Sequence, residues 1–154
     1  AHDWAIAYGS DDVASYAHEN FSPAAEQEVA RYIAAHTRPG DGVFVWALAP
    51  GIDALADRHP VTRFPFHKLL ITDAPLALEV PGRAARRADQ LARLRADPPA
   101  YVVLGVHDAN PFDPHDSVTS LLAWPELAAF VMRGYHEALR TGRFIVLARG
   151  APPS

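Results

Sequence analysis

The residues most able to do chemistry lie in one run, His107-Asp108-Ala109-Asn110-Pro111-Phe112-Asp113-Pro114-His115-Asp116-Ser117. Two histidines and three aspartates within ten residues offer the imidazole and carboxylate donors that Zn²⁺ or Mn²⁺ accepts. His107, Asp113, His115 and Asp116 are the candidate metal ligands, and His107 and Asp108 are candidate ligand-binding groups. The spacing argues against a metal. His107 and His115 stand eight positions apart across two prolines, which is not a helix-face pair. Asn-Pro, Asp-Pro and Asp-Ser steps more often make turns and a helix cap, with side chains bonding nearby backbone, and this plainer reading carries the greater weight. No metal is expected.

Arg58 and Arg63 flank Pro60 and form a second group. Paired guanidiniums could grip a phosphate or carboxylate through bidentate contacts. A structural role is favoured: Arg58 capping the carbonyls of a short helix before it, and Arg63 pairing with an acidic neighbour. If a ligand exists, this pair is the better site of the two regions. Trp46 and Asp53 complete the candidate ligand-binding set. Trp46 suits a core equally well, and Asp53 with Asp57 suits the exposed face of a short helix, where carboxylates four apart are commonly just solvated.

The chain lacks G-x-G-x-x-G, G-x-x-x-x-G-K-[ST], G-x-S-x-G and H-E-x-x-H. Where a nucleotide-binding enzyme carries a glycine-rich turn after its first strand, this chain has Ala47-Leu48-Ala49-Pro50-Gly51, a poor phosphate cradle. No cofactor is expected. A net charge of −4 gives no basic field for a phosphate backbone, so nucleic acid is not an expected partner. With no cysteine, disulfides and thiolate metal sites are excluded.

These groups need a scaffold, and 154 residues at 49% hydrophobic supply one domain with a real core. Ser22-Pro23 opens a helix: the serine caps orphan N–H groups and proline suits the first position. Ala25, Val29 and Ile33 form its apolar stripe. Pro39-Gly40-Asp41-Gly42 breaks the chain before a strand from Val43 to Trp46 whose continuous apolar run marks burial on both faces. A short helix is expected over Ile52 to Asp57, then a strand through Arg63-Phe64. Residues 83–97 read as an amphipathic helix with Ala84, Ala88, Leu91 and Leu94 inward, followed by a strand from Tyr101 to Val106. A helix from Pro125 to about Arg133 precedes a hairpin of 134–139 and 143–148. The pattern predicts a three-layer, Rossmann-like α/β sandwich whose mostly parallel sheet is closed by a C-terminal antiparallel hairpin. It occupies residues 1–150 as one domain, with 1–22 a linker and 151–154 a frayed tail; Trp4, Ile6 and Tyr8 alternate like a short strand. The longest apolar run, Val43 to Ile52, is too short to span a bilayer, which takes about 20 residues.

An ordered set of short motifs covers about two thirds of the chain. It comprises Val29-Ala30-Arg31-Tyr32-Ile33, Pro39-Gly40-Asp41, Val43-Phe44-Val45-Trp46, Pro50-x-Ile52, Arg58-x-Pro60-x-x-Arg63-Phe64, Pro99-x-Tyr101-Val102-Val103, and Tyr135 with Phe144-Ile145-Val146-Leu147-x-Arg149. The set resembles the segment after the last transmembrane helices of bacterial C-type membrane glycosyltransferases, polytopic relatives of the dolichyl-phosphate-mannose protein mannosyltransferases and the aminoarabinose lipid A transferases. The chain departs from the family at Gly51-Ile52-Asp53, where Glu-Ile-Tyr is expected, and at Asp57, where glycine is expected. The resemblance implies the extracytoplasmic C-terminal domain of a cell-membrane enzyme that moves a sugar from a polyprenyl-phosphate donor. The catalytic carboxylate of such an enzyme lies near the start of its membrane region, outside this chain. The domain would then be inactive alone. It would serve acceptor or partner recognition, with the transmembrane part of the same polypeptide and a glycan or lipid-linked acceptor as partners. Two alternatives are a free-standing metal-dependent hydrolase using the 107–116 loop and an interaction module of the cell envelope.

Overall fold

The computed structural model describes residues 22–49, 51–64, 70, 82–109 and 115–150. The expected strand at Trp4–Tyr8, the linker before Ser22, the candidate ligand Asp113 and the tail 151–154 lie outside these residues. Helix α1 spans Pro23–His36, and the Ser22 side chain accepts from the Ala25 N–H at 3.4 Å, the cap that the Ser-Pro step predicts. Its buried stripe is Glu26, Val29, Ala30 and Ile33. Strand β1 follows at Gly42–Trp46, then helix α2 at Ile52–Leu55, which is shorter than expected, and β2 at His59–Pro60.

The strand expected through Arg63-Phe64 is instead this two-residue β2. Pro60 brings no N–H to a ladder, so pairing stops almost where it starts. β2 lies close against β1: a Cβ on Gly42 would collide with the side chains of Val61 and His59, so only glycine lets the strands approach.

Helix α3 spans Arg83–Ala96, β3 spans Tyr101–Gly105, α4 spans Ser117–Leu122 and α5 spans Pro125–Gly134, while β4 (Tyr135–Arg140) and β5 (Phe144–Arg149) form the hairpin. The inward face of α3 differs from expectation. Leu91 and Leu94 are buried, but Ala84 and Ala88 are exposed. The buried row runs through Gln90, and Arg87 sits 5.0 Å over the Trp124 ring. Positions 87, 90, 91 and 94 are the true i, i+3, i+4, i+7 face. The Gln90 amide is fully buried, and its side-chain nitrogen and oxygen find no hydrogen-bond partner among the described residues.

The sheet order is β2-β1-β3-β5-β4. β1 pairs in parallel with β2 and β3, while β5 pairs antiparallel with both β3 and β4. The hairpin is as expected, but the sheet is not mostly parallel. β5 docks along the whole of β3, from Tyr101 opposite Ala148 to Gly105 opposite Phe144, and this brings antiparallel pairing into the interior.

Strand side chains alternate between two cores. Phe44, Trp46, Val102 and Leu104 join Leu91 and Leu94 of α3, Leu121 of α4 and Leu127 and Val131 of α5. Val43, Tyr101, Val103, Phe144 and Val146 join Val29, Ala30 and Ile33 of α1 and Ile52 of α2. Helices therefore pack against both faces of the sheet. Among the described residues no helix is long and apolar enough to cross a membrane.

Candidate functional site

β1 and β3 are parallel neighbours, yet the helices after them pack on opposite faces, α2 in one core and α4 in the other. This is a switch point of the sheet, and ligands of open α/β sheets bind in the crevice beyond such strand ends. Here the crevice is lined by Ala47 and Leu48 after β1, Asp108 after β3, Ser22 at the cap and Glu26 in the first turn of α1, Arg143 just before β5, and Phe144 at its start. Its water-accessible space is about 10 Å³, room for a single water.

The described residues of the chemistry-bearing loop, 107–109 and 115–117, are tied to their own fold. His107 adopts the left-handed conformation, φ 56°, which costs a non-glycine residue roughly 1–2 kcal/mol. It turns the chain so that Asp108 accepts from the Ser117 N–H at 2.7 Å and from the Ser117 hydroxyl at 2.5 Å. The Asp108 carboxylate lies over Gly105, where any side chain would collide with it. The Ser117 carbonyl in turn accepts from the Trp46 indole N–H at 2.9 Å. Trp46 is fully buried. Asp116 caps α4, accepting from the Thr119 N–H at 2.7 Å. Its carboxyl is held below the usual range chiefly by the hydrogen bonds from Thr119, and less by the nearby His107 ring. Among the described residues no three His, Cys, Asp or Glu side chains gather to hold a metal ion.

Glu26 escapes sequence reading because it resembles an ordinary polar residue in a first turn. It is 5% exposed, and its carboxyl group makes no hydrogen bond or ion pair with the described residues. Burial raises its pKa above the ordinary carboxyl value. The folded state therefore holds this proton more tightly than the unfolded chain, and the domain loses stability as pH rises from the unfolded value through the folded one. Glu26→Gln is expected to raise stability at pH 7 by about 1 kcal/mol, a common size for a single substitution, which is roughly 3 °C in Tm for a domain of this length. The gain should shrink to nothing by about pH 3, well below both pKa values. Paired thermal melts at the two pH values check this.

The arginine pair separates. Arg58 spends its guanidinium on the fold. Nε donates to Thr37 Oγ1 at 2.7 Å, Nη1 to the carbonyls of Ala56 (3.0 Å) and Asp57 (2.8 Å), and Nη2 to those of Ala34 (3.1 Å) and Thr37 (2.9 Å). It thus ties the end of α1 to the end of α2. Arg63 makes an exposed two-point pair with Asp89 at 3.0 and 3.2 Å, which Arg93 also contacts at 3.0 Å. Those bonds hold the Asp89 carboxyl below its ordinary range, Arg63 contributing most. Such solvated pairs add little stability. Asp53 accepts from the Ala54 N–H at 3.0 Å, a local turn contact.

A larger cavity lies at the opposite end of the sheet, near the start of β3, and no motif announces it. It holds about 570 Å³, within the range of small-molecule sites. Arg95 comes from the last turn of α3, and Arg149 closes β5. Glu126, Phe130 and Arg133 lie along α5, and Tyr135 opens β4. Tyr135 donates to the Pro99 carbonyl at 2.9 Å and its ring lies 5.7 Å from that of Phe130. Burial pushes the Tyr135 hydroxyl up to about 12, so it stays neutral. Arg149 donates to the Pro98 carbonyl at 2.7 Å. The one sequence signal was the i, i+7 spacing of Glu126 and Arg133, which places both on one face of α5. No protein-family model, curated protein or solved structure matches this chain.

Proposed function

We propose that this chain is a non-catalytic recognition domain of a membrane glycosyltransferase that uses a polyprenyl-phosphate sugar donor. It is a three-layer, Rossmann-like domain on the extracytoplasmic side of the cell membrane. It docks on the transmembrane part of the same polypeptide and engages a glycan or lipid-linked acceptor.

One observation carries the non-catalytic role. At the strand ends where α/β enzymes place their chemistry, Asp108, Trp46 and Ser117 are bonded to one another and Asp116 caps a helix. Arg58 likewise serves backbone carbonyls. The ordered motifs from Val29 to Arg149 support the glycosyltransferase address. So does one detail of backbone: Asp57, where the family carries glycine, sits at φ 53°, a conformation that glycine adopts freely and aspartate tolerates.

The full reading frame is the direct test. Several hundred residues of hydrophobic helices upstream of Ala1 are expected, and a start codon within a few codons would overturn the proposal. The 154-residue chain should release no sugar from a labelled polyprenyl-phosphate donor. Stabilisation by Zn²⁺ or Mn²⁺ that disappears when His107 and His115 are both replaced by alanine would favour the metal-dependent hydrolase instead.

A further inference from the structure

We infer that the cavity between α3, α5 and the hairpin is a binding site for a small dianion carried on an apolar or ring-shaped body, an organic phosphate or a dicarboxylate. The inference rests on the reading of this chain as a recognition domain and supplies a site for it.

Charge comes first. Three guanidiniums, Arg95, Arg133 and Arg149, line the cavity with one carboxylate, Glu126, a surplus of two positive charges. Arginine forks match the oxygens of phosphate and carboxylate, and bidentate pairing adds both energy and geometry.

The second observation is how these arginines differ from others in the chain. Arg63 and Arg93 share Asp89, Arg140 grips Glu137, and Arg58 serves four carbonyls. Arg95 and Arg133 make no such contact with the described residues. Arg149 uses Nη1 on the Pro98 carbonyl, which fixes the guanidinium at the rim while its other N–H groups remain for a ligand. All three side chains are exposed. These cations border a concavity of about 570 Å³ with Phe130, Ala129, Pro98 and Tyr135 in its walls.

The walls decide the ligand's body. Phe130 and Tyr135 are packed ring against ring and offer an apolar surface to a planar or aliphatic group. Tyr135 is locked by its bond to Pro99, so this part of the site is formed before any ligand arrives, which spares affinity the cost of ordering it. Glu126 excludes a polyanion that would fill the cavity with charge, and it can accept from a ligand hydroxyl or amine.

The test uses the 154-residue chain with phenyl phosphate, phthalate, inorganic phosphate and neutral benzyl alcohol as probes, titrated by NMR chemical shift and calorimetry at low salt. Phenyl phosphate or phthalate should bind more tightly than inorganic phosphate, and benzyl alcohol should not bind. The tighter of the first two assigns a phosphate or carboxylate ligand. Arg133→Ala should weaken binding by about tenfold, as loss of one charge-assisted contact implies, and added salt should weaken it further. Gly134→Leu supplies an independent block. Gly134 lines the cavity and a Cβ there meets nothing within 4 Å, so a side chain has room to start there, and the leucine should abolish binding while far-UV circular dichroism shows the chain still folded. Arg63→Ala, remote on the Asp89 pair, should bind as the wild type does. Absence of binding at 10 mM probe (on the order of a Kd too weak to use), or binding that Arg133→Ala and Gly134→Leu leave intact, overturns the inference. The glycosyltransferase reading stands or falls separately, on the reading frame.

Discussion

Trp46→Ala is expected to cost about 3–5 kcal/mol, the usual range for truncating a fully buried aromatic side chain, a large share of a domain's ordinary stability of about 5–15 kcal/mol. The indole is 0% exposed and lies between Phe44, with ring centroids 5.9 Å apart, and Trp124, at 6.0 Å. Its N–H meets the Ser117 carbonyl at 2.9 Å, and Ser117 holds Asp108. The alanine variant therefore opens a cavity and also strands a buried acceptor. Trp46→Phe separates the two terms: it keeps most of the apolar volume and loses the N–H, so it should cost about 1–3 kcal/mol. Urea unfolding followed by far-UV circular dichroism measures both. A ligand-contacting tryptophan would instead change affinity and leave the urea midpoint alone, and an unmoved midpoint would refute the packing role.

Arg58→Ala should cost about 2–4 kcal/mol, since hydrogen bonds from a charged donor are worth roughly 1.5–3 kcal/mol each and several lost together do not add in full. Four carbonyls, those of Ala34, Thr37, Ala56 and Asp57, share this one guanidinium. Helix ends leave just such carbonyls without partners. Arg58→Lys should rescue little, because an ammonium is a single point and cannot span both helix ends. Amide hydrogen exchange should quicken first in the last turn of α1 and around α2, while the distant hairpin keeps its protection. Uniform quickening, or none, would contradict the clamp.

Much of this scaffold could be read from residues. The Ser22-Pro23 cap, the apolar runs at Val43–Trp46 and Tyr101–Gly105, the helix from Pro125 and the hairpin turn at Thr141-Gly142 each follow from short-range chemistry: a cap, a fixed φ, a period of two or of 3.6. Where reading failed, a long-range contact had overruled a local preference. Ala84 and Ala88 suit an inward face, but the packing of α3 on Trp124 and Leu94's core turned Gln90 and Arg87 inward. Arg63-Phe64 looks like strand, but β2 had already ended at Pro60. Helix α4 shows in the sequence only as a cap at Asp116-Ser117, since six residues carry too little periodicity to announce themselves.

The candidate site divides along the same line. Turn and cap chemistry is local, so residue types alone place Asp108, Asp116, Arg58 and Trp46 at the ends of elements and give Asp116 its helix cap. The tertiary structure alone satisfies Asp108, Arg58 and Trp46, bringing Ser117, Thr37 and Ala34 to them from other elements. It also decided that Arg95, Arg133 and Arg149 border one cavity. They come from α3, α5 and β5, and no sequence period links them. What brings them together is the antiparallel docking of β5 on β3 and the burial of α3 and α5 in one shared core.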